Sequence, residues 1–139
     1  MFLLDTNVVS ELRKVRLGKA DPNVARWADQ VNVGELYLSV IVVQELEIGI
    51  QLAERRDARQ GGVFRAWMRE QVIPVFQGRI LSVDTAIALR SAELHVPNPM
   101  PVQDSLIAAT ALVHRMKLVT RNVEDFATTG VVVVNPWVG

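Results

Sequence analysis

The chain has no cysteine, which excludes disulfides, thiolate metal sites and thiol nucleophiles. It has only two histidines, His95 and His114, and they show no zinc-ligand spacing. Net charge is absent as well, because 15 basic residues balance 15 acidic ones. No global field therefore draws in nucleic acid, and any chemistry on it must rest on a local site or a partner. The longest apolar run, LYLSVIVV, falls far short of the ~20 residues that cross a bilayer. The opening MFLLDTN lacks the basic start and apolar stretch of a signal peptide, so a cytoplasmic location is expected. What is present is apolar mass: 50% of 139 residues, enough for one compact domain over 1–139 that removes roughly 70% of its unfolded surface from water. No repeat, low-complexity segment or linker suggests a second domain.

Strand and helix signals alternate along the chain. MFLL is apolar at every residue, as in a strand covered on both faces, and Thr6, Asn7 and Ser10 then offer cap chemistry for a short helix. A second helix opens with Asp21 as cap and Pro22 in its first turn. VNVGELYLSV turns at Gly34 into a second strand, followed by a long helix from about Val40 to Asp57 and another from about Gly62 to Phe76. GRILSVD reads as the third strand, TAIALRSAELHV as a helix stopped by PNPMP, and VQDSLIAATALVHR as a buried helix, apolar nearly all round. KLVT and VVVV complete five strands. Such alternation predicts a mainly parallel five-stranded sheet wrapped by helices on both faces, with right-handed crossovers.

Several carboxylates stand where apolar residues are expected. Asp5 ends the first strand, at the sheet edge where open parallel sheets bind ligands. At 100° per residue, Glu45 falls within about 60° of Ile41, Val42, Ile48, Gly49 and Leu52, so it interrupts an apolar stripe, with Glu47 and Glu54 on the opposite, exposed face. Asp104 lies in the first turn of the apolar helix, where unpaired N–H groups favour an anion. Thr120 ends the fourth strand and is followed by Arg121, Asn122, Glu124 and Asp125. Four segments can thus bring acids to one edge. Two carboxylates about 4 Å apart repel by on the order of 4 kcal/mol at an effective dielectric near 20, so a cation must compensate. All-oxygen ligands suit Mg²⁺, with Mn²⁺ as substitute. Such an ion equips the site for phosphodiester hydrolysis, with Glu45 or Asp104 to orient the attacking water.

The motifs LLDTNVVSEL, LSVIVVQELEIGI, VQDSLIAATALVHRMKLVTRNVEDF and the terminal NPW resemble those of the PIN-domain ribonucleases, in particular the VapC-type toxins and their FitB-like branch. The resemblance covers essentially the whole chain. It implies a PIN-like three-layer α/β/α sandwich and the toxin of a type II toxin–antitoxin system. The expected activity is that of a Mg²⁺-dependent endoribonuclease acting on RNA. A VapB-type antitoxin would inhibit it and make any DNA contact, and homodimers or higher toxin–antitoxin assemblies are expected. Carried onto this chain, the acidic site is Asp5, Glu45 and Asp104, with Asp5 and Asp104 as metal ligands, and Thr6 and Thr120 as supporting hydroxyls. The fourth acidic position departs from some FitB-like members, because Asn122 stands where they have aspartate, and Asp125 is the nearby acid to replace it.

Plainer readings compete at each position. Asp5 and Asp104 serve as helix caps in one of them, and Glu45 pairs with Arg90. RKVRLGK is either a solvated basic loop or a set of phosphate contacts. Trp27, Trp67 and Trp137 are core or interface anchors before they are base-stacking platforms, and both histidines read as helix-end or surface residues. Haloacid dehalogenase-type phosphotransferases also begin with a strand ending in aspartate, but they need a second aspartate where this chain has Asn7. The functional rival is an inactive PIN-fold module that binds metal or protein without turnover.

Overall fold

The computed structural model describes residues 1–138. Among the described residues, β1 (Phe2–Leu4), β2 (Leu36–Ser39), β3 (Ile80–Leu81), β4 (Lys117–Val119) and β5 (Val133–Val134) form one sheet in the order β3-β2-β1-β4-β5. Every pairing is parallel. The expected fold class stands, with "mainly" parallel sharpened to wholly parallel. β3 and β5 are shorter than GRILSVD and VVVV suggest, because each lies at an edge and pairs on one side only.

Helices α1 (Thr6–Val15) and α2 (Pro22–Gln30) connect β1 to β2. α3 (Val40–Arg56), α4 (Ala58–Trp67), a π-helical turn over Met68–Val72 and the short α5 (Ile73–Val75) connect β2 to β3. α6 (Thr85–Glu93) and α7 (Val102–His114) lead to β4. Right-handed crossovers place the helices before β3 on one face and α6 and α7 on the other. No helix among the described residues is long and apolar enough to cross a membrane.

Local chemistry sets most boundaries. Asp21 accepts the N–H groups of Asn23 and Val24, and Pro22 follows it, as read from the sequence. Helix α4 starts four residues before the expected Gly62 because Asp57, which ends α3, also accepts the N–H groups of Arg59 and Gln60. The two helices pack tightly there: a Cβ on Gly61 would sit 2.4 Å from Glu54 Cα. Arg65 on α4 then donates to both oxygens of Glu47, at 2.6 and 2.8 Å, and to Glu54 at 2.9 Å. Glu47 and Glu54 are therefore half-buried members of an ion-pair clamp, not the free solvated face expected of them.

The core lies where β1, β2 and β4 meet α1 and α7, with Leu3, Leu4, Val8, Leu38, Ile107, Ala108, Leu118 and Val119 fully buried. The middle of α7, Ser105 to Ala111, is buried almost all round, as its composition predicts. In α3 the buried line is Val42, Leu46, Ile50 and Ala53. The stripe expected around Glu45 is rotated outward, leaving Ile48 48% and Leu52 56% exposed. Apolar residues occupy most sides of this helix, so periodicity alone points to no single inner face.

Candidate active site

The strand order reverses direction at β1: β2 and β3 lie on one side, and β4 and β5 on the other. Open parallel sheets leave a crevice at such a point, outside the carboxyl ends of the strands. Asp5 follows β1 and Thr120 follows its neighbour β4.

Asp5 is only 7% exposed. Its Oδ1 accepts the Thr6 backbone N–H at 2.8 Å, which makes Asp5 the N-cap of α1, as the plainer reading of this residue has it, in place of Thr6, Asn7 or Ser10. Oδ2 accepts the Thr120 hydroxyl at 2.8 Å and the Asn7 amide at 3.4 Å. Capping and site membership therefore coincide in one carboxylate. Thr120 is fully buried, and its Oγ1 also accepts the Asn122 N–H at 3.0 Å and the Asn7 amide at 3.3 Å. Glu45 is half-buried on α3, where its Oε1 accepts the Thr6 hydroxyl at 2.8 Å. Arg90, its suggested partner, pairs with Glu93 instead.

Asp104 occupies the first turn of α7 but does not cap it; the N-cap position is Pro101, with no side-chain cap bond. Its carboxyl has no hydrogen-bond partner among the described residues. Burial, then Asp5, Asp125 and Glu45 in that order, push it up to about 6. Asp5 is also raised, first by burial and further by Asp125, against the stabilising hydrogen bonds of Thr120 and the Thr6 N–H. Four carboxylates from four segments thus share one electrostatic field.

Asp125 reaches this field from the exposed 3₁₀ turn Val123–Phe126. Asn122 is exposed and touches the cluster through its backbone N–H on Thr120. Among the described residues, no three carboxylate or histidine side chains are gathered tightly enough to form a ready-made metal cage. His114 is exposed in the last turn of α7, and His95 lies past the end of α6 with its Nε2 2.9 Å from Ser105 Oγ. The sequence reading left Asn7 out of the site; its position two residues after the strand-end aspartate was the available signal.

The sheet order and this acidic edge define an α/β protein with a carboxylate site at its topological switch point. The chain belongs to the PIN domain family, whose model matches residues 2–131. It is 33% identical to the toxin FitB of Neisseria gonorrhoeae over 142 aligned residues, covering 99% of both chains. It is 34% identical to a VapC ribonuclease of Sinorhizobium fredii, covering 99% of this chain and 98% of the other. Among solved structures, the crystal structure of FitAcB from Neisseria gonorrhoeae matches with a TM-score of 0.89 and 32% identity over 100% of each chain.

Proposed function

We propose that this chain is the toxin of a toxin–antitoxin pair, a metal-dependent endoribonuclease of the cytoplasm that hydrolyses RNA phosphodiester bonds at the edge bearing Asp5, Glu45, Asp104 and Asp125. The reading rests on one observation: Asp5, Glu45, Asp104 and Asp125, from four remote segments, lie near enough at the switch point for the other three to raise the proton affinity of Asp104 and for Asp125 to raise that of Asp5. The donor set is all oxygen, which fits Mg²⁺, with Mn²⁺ as substitute, and disfavours zinc. Asp5 and Asp104 would hold the ion. When bound, it supplies positive charge to the phosphoryl oxygens and lowers the pKa of a coordinated water.

The chain's own groups have distinct tasks in this reading. Thr120 and the Thr6 N–H orient Asp5 and favour its ionised form. The Thr6 hydroxyl fixes Glu45 through Oε1, leaving Oε2 to orient the attacking water and accept its proton. Asn122 steadies Thr120 through its N–H, and Asp125 contributes the fourth charge. The relatives support a protein partner, since one solved structure of 33% identity is described as FitAB bound to an IR36 DNA fragment. We accordingly assign this chain a VapB-type antitoxin, which inhibits it and carries any DNA contact, and a homodimeric toxin unit within that assembly.

The second reading, a module that binds metal or protein without turnover, draws on the uncharged Asn122 and the exposed position of Asp125. Cleavage of structured RNAs in Mg²⁺ or EDTA, by the wild type, Asp5→Asn and Glu45→Gln, separates the two. Metal-dependent cutting lost in both variants supports the nuclease; equal residual cutting by all three proteins, or none by any, refutes it.

A further inference from the structure

A neutral chain with four carboxylates at its site repels the phosphates it would cut, so a nuclease of this kind needs cations placed locally. Two arginines beside the acidic edge meet that need, each held over an aromatic ring. On one side, Arg13 of α1 lines a cleft of about 290 Å³ that also contains Thr6 and Glu45. Its guanidinium carbon stands 4.8 Å from the centroid of the Phe64 ring. On the other, Arg121 directly follows Thr120, and its backbone N–H donates to Asn7 Oδ1 at 3.2 Å. Its guanidinium carbon lies 5.3 Å from the centroid of Trp137.

Neither arginine pairs with a carboxylate among the described residues, whereas Lys14, Arg65 and Arg90 all do. Stacking on an aromatic face keeps a guanidinium charged and its donor edge open, while restraining a side chain that would otherwise lose rotamer freedom on binding. Arg13 shares its cleft with Thr6 and Glu45, which are hydrogen-bonded to each other and, through the Thr6 N–H, to Asp5, and the Arg121 backbone is tied to Asp5 through Asn7. They flank the carboxylates rather than neutralise them.

The geometry points to Arg13 and Arg121 as phosphate contacts on either side of the scissile bond, fixing the path of a single RNA strand across the acidic edge. This assignment rests on the nuclease reading for its substrate but not for its test, which measures binding without catalysis. The probe is a fluorescently labelled single-stranded RNA followed by anisotropy in EDTA over a range of KCl. Arg13→Gln and Arg121→Gln should each weaken binding roughly three- to tenfold and reduce the slope of log affinity against log salt by about 0.7. Arg13→Lys and Arg121→Lys should restore the slope, and Arg56→Gln, at the far end of α3 roughly 16 Å along the helix from Glu45, should change neither quantity. Thermal melts establish that each variant is folded.

Wild-type affinity and slope in both glutamine variants overturn the assignment, as does an equal loss in Arg56→Gln. Loss of a co-purifying protein partner with RNA binding unchanged also overturns it, by giving these arginines to the partner. A wild type that cuts RNA while the glutamine variants keep its slope refutes this assignment alone. Arginine-dependent binding by a protein that never cuts refutes the nuclease reading alone, and absence of RNA binding by the wild type refutes the assignment.

Discussion

Replacing Thr120 with valine removes one hydroxyl from the centre of the site while preserving shape. That hydroxyl is fully buried, donates to Asp5 Oδ2 at 2.8 Å and accepts the Asn122 N–H at 3.0 Å. A hydrogen bond to a charged group is worth about 1.5–3 kcal/mol, and the added methyl returns about 0.8 kcal/mol, leaving a net loss of about 0.7–2.2 kcal/mol. With unfolding entropy near 2.1 cal/mol/K per residue, that loss lowers the melting temperature of this chain by about 2–8 °C. Circular-dichroism melts in EDTA at neutral pH measure it, with Thr120→Ser, which keeps the hydroxyl and loses a buried methyl worth about 0.8 kcal/mol, expected to melt about 3 °C below the wild type and to keep that gap in acid. The deficit should shrink in acid, because the hydroxyl favours ionised Asp5 and protonation of that carboxyl weakens the interaction. Metal affinity should fall about 10- to 100-fold, as for other groups that orient a ligand. A Thr120→Val protein that melts within about 1 °C of the wild type at neutral pH refutes this reasoning.

Gly61→Ala should cost about 2–3 kcal/mol, seen as a lower denaturation midpoint, because the new Cβ would meet Glu54 Cα at 2.4 Å; Gly62→Ala, with nothing within 4 Å, should be neutral or stabilising. Arg65, ahead of Gln51, holds the Glu47 carboxyl down to about 2 from its ordinary 4.5. A lowered carboxyl pKa stabilises the fold above the unfolded value and loses that contribution as pH falls through the folded one. Arg65→Gln should therefore be less stable than the wild type at neutral pH, with the gap closing between pH 4.5 and 2 in urea titrations. Asp104 titrates near 6, raised first by burial and then by its acidic neighbours, so its contribution to metal-free stability is present in acid and lost as pH rises through that value. A cation competes with this proton, and calorimetric Mn²⁺ affinity should climb by up to about tenfold per pH unit below 6 and level off above it. Affinity that stays flat through that range contradicts the role given to Asp104.

Much of the scaffold was legible because strand and helix periods alternate cleanly and because Asp21 and Pro22 are unambiguous start signals. The edge carrying Asp5 followed from the same reasoning, since only a parallel sheet puts every strand's carboxyl end on one side. The inner face of α3 was not legible: its apolar residues point in most directions, and α4, packed against it through Gly61 and Arg65, decides which line is buried. The start of α4 was missed because Asp57 ends one helix and begins the next, a double use that no single-helix signal shows. The part played by Asp125 depended on the path of a short 3₁₀ turn, which brings this acid into the field of Asp5 and Asp104. The aromatic supports of Arg13 and Arg121 were equally hidden, since each ring comes from a segment remote in sequence.

The most direct test of the account is anomalous diffraction from crystals soaked in Mn²⁺. A strong peak is expected at the carboxyl edge between β1 and β4, bound by oxygens of Asp5 and Asp104, and it should disappear in Asp5→Asn. Soaked crystals with no peak there, and with those two carboxylates turned away from one another, would contradict it.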